Sequence, residues 1–408
     1  MEIEIGRGKK ARRAYGFDEI AIVPSRRTRD PDDVDISWKL GDYRFELPLL
    51  ASAMDGVVSP RTAGLIGQIG GLAVLNLEGV YTRYEDADEQ LERIARLPKE
   101  QATREMQAIY HAPLRPELIA QRIREIKDQG VVVAASLTPQ RVRDHYELAL
   151  EAGLDILVIQ GTVVSAEHKS EHTEPLNLKE FIREVGVPVV VGGCASYHTA
   201  LHLMRTGAAA VLVGVGPGAA CTTRGVLGIG VPQATAIADA AAARSQQMLE
   251  TGEYVKVIAD GGMRTGGDVS KAVACGADAV MIGSPLARAH EAPGRGFHWG
   301  MATFHASLPR GARVATRQNG TLEEILTGPA HENDGTFNLF GALRTSMATC
   351  GYKDIAEFNR AELMVAPALQ TEGKQLQASQ GVGMGARSGG SAAAPANGGE
   401  KAEKVAEA

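Results

Sequence analysis

Val255–Pro285 reads VKVIADGGMRTGGDVSKAVACGADAVMIGSP. An apolar, β-branched run stops at Asp260-Gly261-Gly262, a helical pattern covers Gly267–Ala274, Gly276 breaks it, and a second apolar run fills Ala279–Ser284. Glycine after the helical stretch suits a C-terminus that needs φ > 0. Runs that stay apolar throughout are those of parallel strands buried on both faces. The stretch is therefore one strand–helix–strand unit.

The unit repeats upstream. Six further runs occur at Leu47–Ala53, Gly70–Asn76, Val131–Ser136, Ile156–Gln160, Val187–Gly193 and Ala210–Val215, which with Val255–Gly261 and Ala279–Ser284 make eight. Helical patterns such as Pro139–Ala152 and Tyr197–Thr206 lie between them, followed by Gly153 and Gly207. Eight strands alternating with helices predict an α/β fold, a (β/α)8 TIM barrel. A doubly wound open sheet is the alternative. The interval Leu77–Gly130 is longer than the others, charged and helical in pattern, and suits a cover on the barrel or an oligomer contact. It is too short for an inserted pair of regulatory domains. The barrel is expected over residues 1–372 and a tail over 373–408. From Gln375 the composition is rich in Ala, Gly, Ser and charge, which predicts disorder because it buries too little to offset chain entropy.

The 408 residues carry a net charge of −6, so no global basic field draws the chain to nucleic acid or an anionic membrane. No run approaches the roughly 20 apolar residues of a spanning helix, and MEIEIGRGKKARR has no apolar signal core. Cys194, Cys221, Cys275 and Cys350 stand far apart with no CxxC pair. A reduced, cytoplasmic protein is expected.

Barrel enzymes build their sites at the C-terminal ends of the strands and hold phosphate after the seventh and eighth. There the chain has Asp260-Gly261-Gly262 and Gly283-Ser284-Pro285. Glycines let backbone N–H groups close on phosphate oxygens, and Ser284 adds a hydroxyl. Asp260 is a candidate acceptor for ribose hydroxyls. After the sixth run comes Gly214-Val215-Gly216-Pro217-Gly218-Ala219-Ala220-Cys221-Thr222-Thr223-Arg224. This irregular loop presents a cysteine beside two hydroxyls and a cation, where a thiol can be exposed and activated. Cys275 and Cys350 sit in patterns that suit small buried hydrophobes.

The segments GVGPGAACTTRGVLGIGVPQATAI and IADGGMRTGGDVSKAVACGADAVMIGSPLARAHEAPG resemble the IMP dehydrogenase/GMP reductase family. So do GFDEIAIVP (Gly16–Pro24), LPLLASAMDGVVSP (Leu47–Pro60) and NLFGALRTSMATCGY (Asn338–Tyr352). The absence of room for regulatory CBS domains makes the chain most similar to the family's CBS-less third branch of actinobacteria and cyanobacteria. The resemblance implies that Cys221 attacks C2 of a purine nucleotide, giving a covalent thioimidate across which hydride moves to or from NAD or NADPH. It implies that Thr223 assists catalysis and that Asp260 binds ribose. Ser52, Met54, Gly261, Gly262, Gly283, Ser284, Gly300 and Met301 are the other implied substrate contacts. Gln160, Gly161, Thr162, Gly214 and Gly216 are implied for the cofactor, and carbonyls of Gly216, Gly218 and Cys221 for a monovalent cation such as potassium. The implied substrate is a purine nucleoside monophosphate and the implied assembly a homotetramer or homo-octamer.

The chain departs from the family pattern at Ala219, Gln160, Cys194 and Leu212, where a serine, an aspartate, an asparagine and a basic residue are usual. The flap, expected at Ala306–Thr327, has Arg310, Arg313 and Arg317 but no Tyr between Tyr254 and Tyr352. It therefore lacks the Arg–Tyr pair by which dehydrogenases activate hydrolytic water. This favours reduction of XMP to IMP by NADPH over the oxidative reaction. Deamination of GMP is an alternative, with Gln318, Glu323 or Glu324 as a partner for Thr223. A weakly catalytic barrel that binds nucleotide and regulates a partner is a third reading. Glu323 and Glu324 equally suit a solvated helix start. His168 and His172 suit a surface or cofactor loop better than a metal site, and Trp299 suits either a cover on the base or packing.

Overall fold

The computed structural model describes residues 2–169, 171, 175–300, 307–308, 311–366 and 374–383. Eight parallel strands form one closed barrel: β1 Leu49–Ala51, β2 Leu72–Asn76, β3 Ala134–Leu137, β4 Ile156–Gln160, β5 Val189–Cys194, β6 Ala210–Val213, β7 Lys256–Asp260 and β8 Ala279–Ile282. Each pairs with its chain neighbours, and β8 returns to β1 through Val280 opposite Leu49 and Ile282 opposite Ala51. All eight expected runs are barrel strands, and the open-sheet alternative is excluded. Their residues are almost all buried because helices cover the outside and side chains fill the inside.

The helices are α1 Pro60–Ile69, α2 Ala87–Arg96, α3 Lys99–Tyr110, α4 Pro116–Lys127, α5 Val142–Glu151, α6 Leu178–Val185, α7 Tyr197–Met204, α8 Thr223–Leu227, α9 Gln233–Thr251, α10 Gly266–Ala274, α11 Leu322–Leu326, α12 Leu339–Thr349, α13 Ile355–Phe358 and α14 Gln375–Gln380. Gly153, Gly207 and Gly276 have φ of 104°, 93° and 116°, the left-handed turns the sequence asked of them. No helix among the described residues is long and apolar enough to cross a membrane. In the tail the described residues include α14, and residues 384–408 lie outside the described ones.

Two devices fix the ends of β6 and β7. A buried pair, Arg244 on α9 and Asp278 before β8, meets at 2.7 Å, and Asp278 also accepts from the Val257 N–H and the Tyr254 hydroxyl. The buried Gln233 amide donates to the Val213 carbonyl at 2.6 Å and the Asp260 carbonyl at 3.2 Å. Gly214 permits this closeness: a Cβ there would lie 2.2 Å from the Asp260 carbonyl oxygen. Helix α10, which follows the Asp260 turn, is capped by Thr265, whose hydroxyl accepts from the Asp268 N–H at 3.3 Å. Thr265→Ala is expected to cost about 1 kcal/mol, read as a lower denaturant midpoint with unchanged slope.

The long interval between β2 and β3 holds α2, α3 and α4. Helix α3 ends on Tyr110, whose hydroxyl donates to the buried Asp55 carboxylate in the loop after β1. Trp299 donates its indole N–H to the same hydroxyl at 2.8 Å. Burial pushes the Asp55 carboxyl up to about 6, and the Tyr110 hydrogen bond opposes that shift. The interval thus braces the rim of the barrel mouth.

Candidate active site

At the C-terminal ends of the strands lies a cleft of about 960 Å³. The turns after β1, β3, β4, β6, β7 and β8 line it. Of the residues singled out in the sequence, Ser52, Met54, Gln160, Gly161, Thr162, Gly214, Gly216, Gly218, Cys221, Thr223, Asp260, Gly261, Gly262, Gly283, Ser284 and Gly300 share this cleft. Met301 lies outside the described residues.

The loop after β6 shapes the thiol's setting. The Cys221 N–H donates to the Gly218 carbonyl at 3.0 Å, closing a turn that leaves the side chain half-buried at the cleft. Its Sγ donates to Thr223 Oγ1 at 3.0 Å, and Thr223, the first residue of α8, is fully buried. The cation expected beside the thiol is engaged elsewhere. Arg224 donates to the Val215 carbonyl at 3.4 Å and to the Val231 carbonyl at 2.7 Å, clamping the two ends of the loop. A guanidinium in the loop follows from sequence, but which carbonyls it meets depends on how the glycines turn.

The other thiols differ. Cys194 is buried at the end of β5, donates to the Leu212 carbonyl, and is pushed by burial up to about 12. Cys275 is buried and pushed up to about 12 as well, and Cys350 is buried. A thiol held neutral by an apolar shell is a poor nucleophile.

Across the cleft, Gln160 donates from Nε2 to Asp260 Oδ2 at 3.2 Å, so the departure from the usual aspartate puts an amide against a carboxyl. Burial pushes Asp260 up to about 7, and the Gln160 bond pulls it partly back. Gln160 Oε1 is buried without a hydrogen-bond partner, an acceptor for a donor entering the cleft. At the other end Gly261 and Gly262 have φ of 78° and 84°; the Gly261 N–H donates to the Met281 carbonyl at 3.0 Å, which leaves the turn to present Gly262 at the rim. Ser284 Oγ lies 2.8 Å from His298 Nε2.

The flap candidate supplies no base to this centre among its described residues. Gly311 bridges to Cys221 and the Ala312 N–H donates to the Ala220 carbonyl, so the segment rests on the loop that carries Cys221. Arg313 donates to the carbonyls of Ile94 and Leu97 at the end of α2 and stacks on Phe297. Gln318 donates to the Ala289 carbonyl at 2.7 Å. Glu323 is exposed, and Glu324 forms a capping box with Thr321 at the start of α11. None of the three meets Thr223, which corrects that suggestion: the helix start claims the acids. Glu324→Gln is expected to change turnover by less than about twofold, since it removes a cap and no catalytic contact; a larger drop in steady-state rate would place it at the centre. Arg310 lies outside the described residues.

Trp299 is buried and packs, so it does not cover the cleft. His168 is exposed, His172 lies outside the described residues, and no group of three metal-ligating side chains occurs among the described ones. The sequence did not single out Thr138, Pro139 and Gln140 after β3, nor Asp18 and Arg264, which face each other at 3.8 Å on the rim. Their positions at strand ends, and Asp18's place in GFDEIAIVP, were the available signals.

Comparison with known proteins agrees with this geometry. Residues 14–375 match the family model described as IMP dehydrogenase / GMP reductase domain. Uncharacterized oxidoreductases of Mycolicibacterium smegmatis and Mycobacterium tuberculosis are 48% and 49% identical over 372 residues, covering 89% of this chain and 99% of theirs. An inosine-5'-monophosphate dehydrogenase of Methanocaldococcus jannaschii is 25% identical over 491 residues, covering 89% of this chain and 95% of its own. A crystal structure of an IMP dehydrogenase/GMP reductase-like protein from Corynebacterium glutamicum superposes with a TM-score of 0.85 at 45% identity, over 89% of this chain and 97% of that one.

Proposed function

Because the chain belongs to the IMP dehydrogenase/GMP reductase family and so to its oxidoreductases, we propose that it reduces XMP to IMP with NADPH through a thioimidate on Cys221. The observation that carries this reading is the Cys221–Thr223 pair at 3.0 Å, in a cleft shared with Asp260, the β7–β8 glycines and Ser284.

The overall balance is XMP + NADPH + H⁺ giving IMP + NADP⁺ + water. The Cys221 sulfur adds to C2 while Thr223 accepts the thiol proton and passes it to the C2 oxygen. That oxygen leaves as water with a ring N–H proton, and C2 becomes a thioimidate. The nicotinamide cofactor, when bound, supplies hydride to C2. The C2–S bond then breaks and the sulfur departs as thiolate. Asp260 holds the ribose hydroxyls, while the N–H groups at Gly262 and Gly283 and the Ser284 hydroxyl hold the phosphate.

Two features bear on the choice among the family's reactions. The flap has no Arg–Tyr pair, and Arg313, Gln318 and Glu324 are engaged away from Thr223. Among the described flap residues, release of ammonia from GMP therefore lacks an acid partner for Thr223, while loss of water from the C2 adduct of XMP needs only the proton that Thr223 carries. A cofactor would lie beyond the phosphate grip, where Gly161, Thr162 and Gln140 line the same cleft. A potassium ion would take carbonyls of Gly216, Gly218 and Cys221; the Gly218 oxygen keeps a second lone pair beyond its bond to Cys221 N–H. The proposed assembly is a homotetramer or homo-octamer, and exposed Ile3 and Ile5 on the hairpin of Glu2–Gly6 with Lys9–Arg12 are available to a contact between copies.

The test is a substrate panel in potassium buffer followed at 340 nm. NADPH with XMP is expected to lose absorbance and yield IMP, while NADPH with GMP and NAD with IMP run at least about tenfold slower. Silence in all three arms would leave a regulatory barrel; ammonia release from GMP as the fastest reaction would establish deamination instead.

A further inference from the structure

We propose that His298, with Thr316, is a positioning residue forming a one-way hydrogen-bond relay that presets the Ser284 hydroxyl as a donor to the phosphate of the nucleotide. The inference rests on the nucleotide reading above and assigns a role to a residue outside the cleft lining.

His298 lies in a two-residue strand, Phe297–His298, paired antiparallel with Val314–Ala315. It is buried, and both ring nitrogens meet hydroxyls: Nε2 lies 2.8 Å from Ser284 Oγ and Nδ1 lies 2.8 Å from Thr316 Oγ1. Four charged groups on the surrounding segments have other partners. Asp55 takes Tyr110 and the Val80 N–H, and Arg288 binds Asn319. Arg295 pairs with Glu92, and Arg313 holds the carbonyls of Ile94 and Leu97. Burial pushes the ring down to about 4, so it is neutral at pH 7.

A neutral imidazole has one N–H and one acceptor nitrogen, which leaves two arrangements. With the proton on Nδ1, the ring donates to Thr316 and accepts from Ser284, so the serine turns lone pairs to the cleft. With the proton on Nε2, Thr316 donates to the ring, the ring donates to Ser284, and the serine's own proton points into the cleft. An anion there selects the second arrangement. Gly262 and Gly283 offer only backbone donors, so a hydroxyl donor from Ser284 adds a side-chain contact to this grip. The far end of the relay, Thr316, donates its N–H to the Gly296 carbonyl at 2.7 Å. It lies a few residues after Gly311, which bridges to Cys221.

The experiment titrates wild type, Thr316→Val and His298→Phe with XMP and with xanthosine, and records ¹⁵N spectra of the wild-type histidines with and without inorganic phosphate. The relay predicts about tenfold weaker XMP binding in each variant, unchanged xanthosine binding, and a phosphate-loaded His298 protonated on Nε2 alone. XMP affinities within about twofold of wild type in Thr316→Val, or a ring that keeps its proton on Nδ1 when phosphate binds, would overturn it. Wild type that binds neither XMP nor phosphate would bring down the nucleotide reading first and the relay with it.

Discussion

Cys221→Ala is expected to lower XMP turnover by roughly 10⁴-fold or more, because no other group can take over the covalent step. The remaining thiols cannot substitute. Cys194 and Cys275 are buried and held neutral, and Cys350 is buried away from the cleft lining. The variant should fold and bind XMP like wild type, since the half-buried side chain's hydrogen bond is the short one to Thr223. Steady-state NADPH consumption gives the rate, and calorimetric titration with XMP gives the affinity. Turnover within tenfold of wild type would mean the nucleophile lies elsewhere.

Asp260→Asn is expected to raise stability and lower affinity together. Asp260 has its pKa raised by burial from 3.8 to about 7, so between those values the folded state keeps a proton that the unfolded chain releases. Stability therefore falls as pH rises through this window, and the full penalty is present above about pH 7. Asparagine carries no charge to desolvate, and the Gln160 amide can turn its unpaired Oε1 to accept from it. The variant should gain about 1–3 kcal/mol at pH 8 and nothing at pH 4, seen in denaturant midpoints at the two values. Nucleotide binding should weaken roughly 10- to 100-fold, as a carboxylate acceptor for ribose hydroxyls is lost. Equal stability of the two proteins at pH 8 would show that the carboxyl is not penalised.

The barrel was legible because its signal is redundant: eight apolar runs, and glycines where helices end. The site was legible as a set of strand ends, and the loop around Cys221 announced itself by composition. What escaped the sequence were partnerships. Arg224 stands three residues from Cys221, yet its guanidinium goes to Val215 and Val231 because Gly216 and Gly230 let the loop fold back on it. Glu324 has an acid's chemistry, but a threonine three residues before it makes a helix cap the nearer use. His298 carries no local signal in the sequence; its meaning comes from a two-residue strand pairing that brings Ser284 and Thr316 to opposite sides of one ring. Such contacts join positions far apart in sequence, and local pattern does not carry them.

The most direct test of hydride transfer to C2 through Cys221 is isotopic. The protein is incubated with XMP and NADPH deuterated at the transferable C4 position, and the product is read by mass and proton NMR. Hydride transfer through Cys221 gives IMP carrying one deuterium at C2, and no labelled IMP with Cys221→Ala. IMP formed without label, or NADPH left intact while IMP and NAD give XMP, would contradict it.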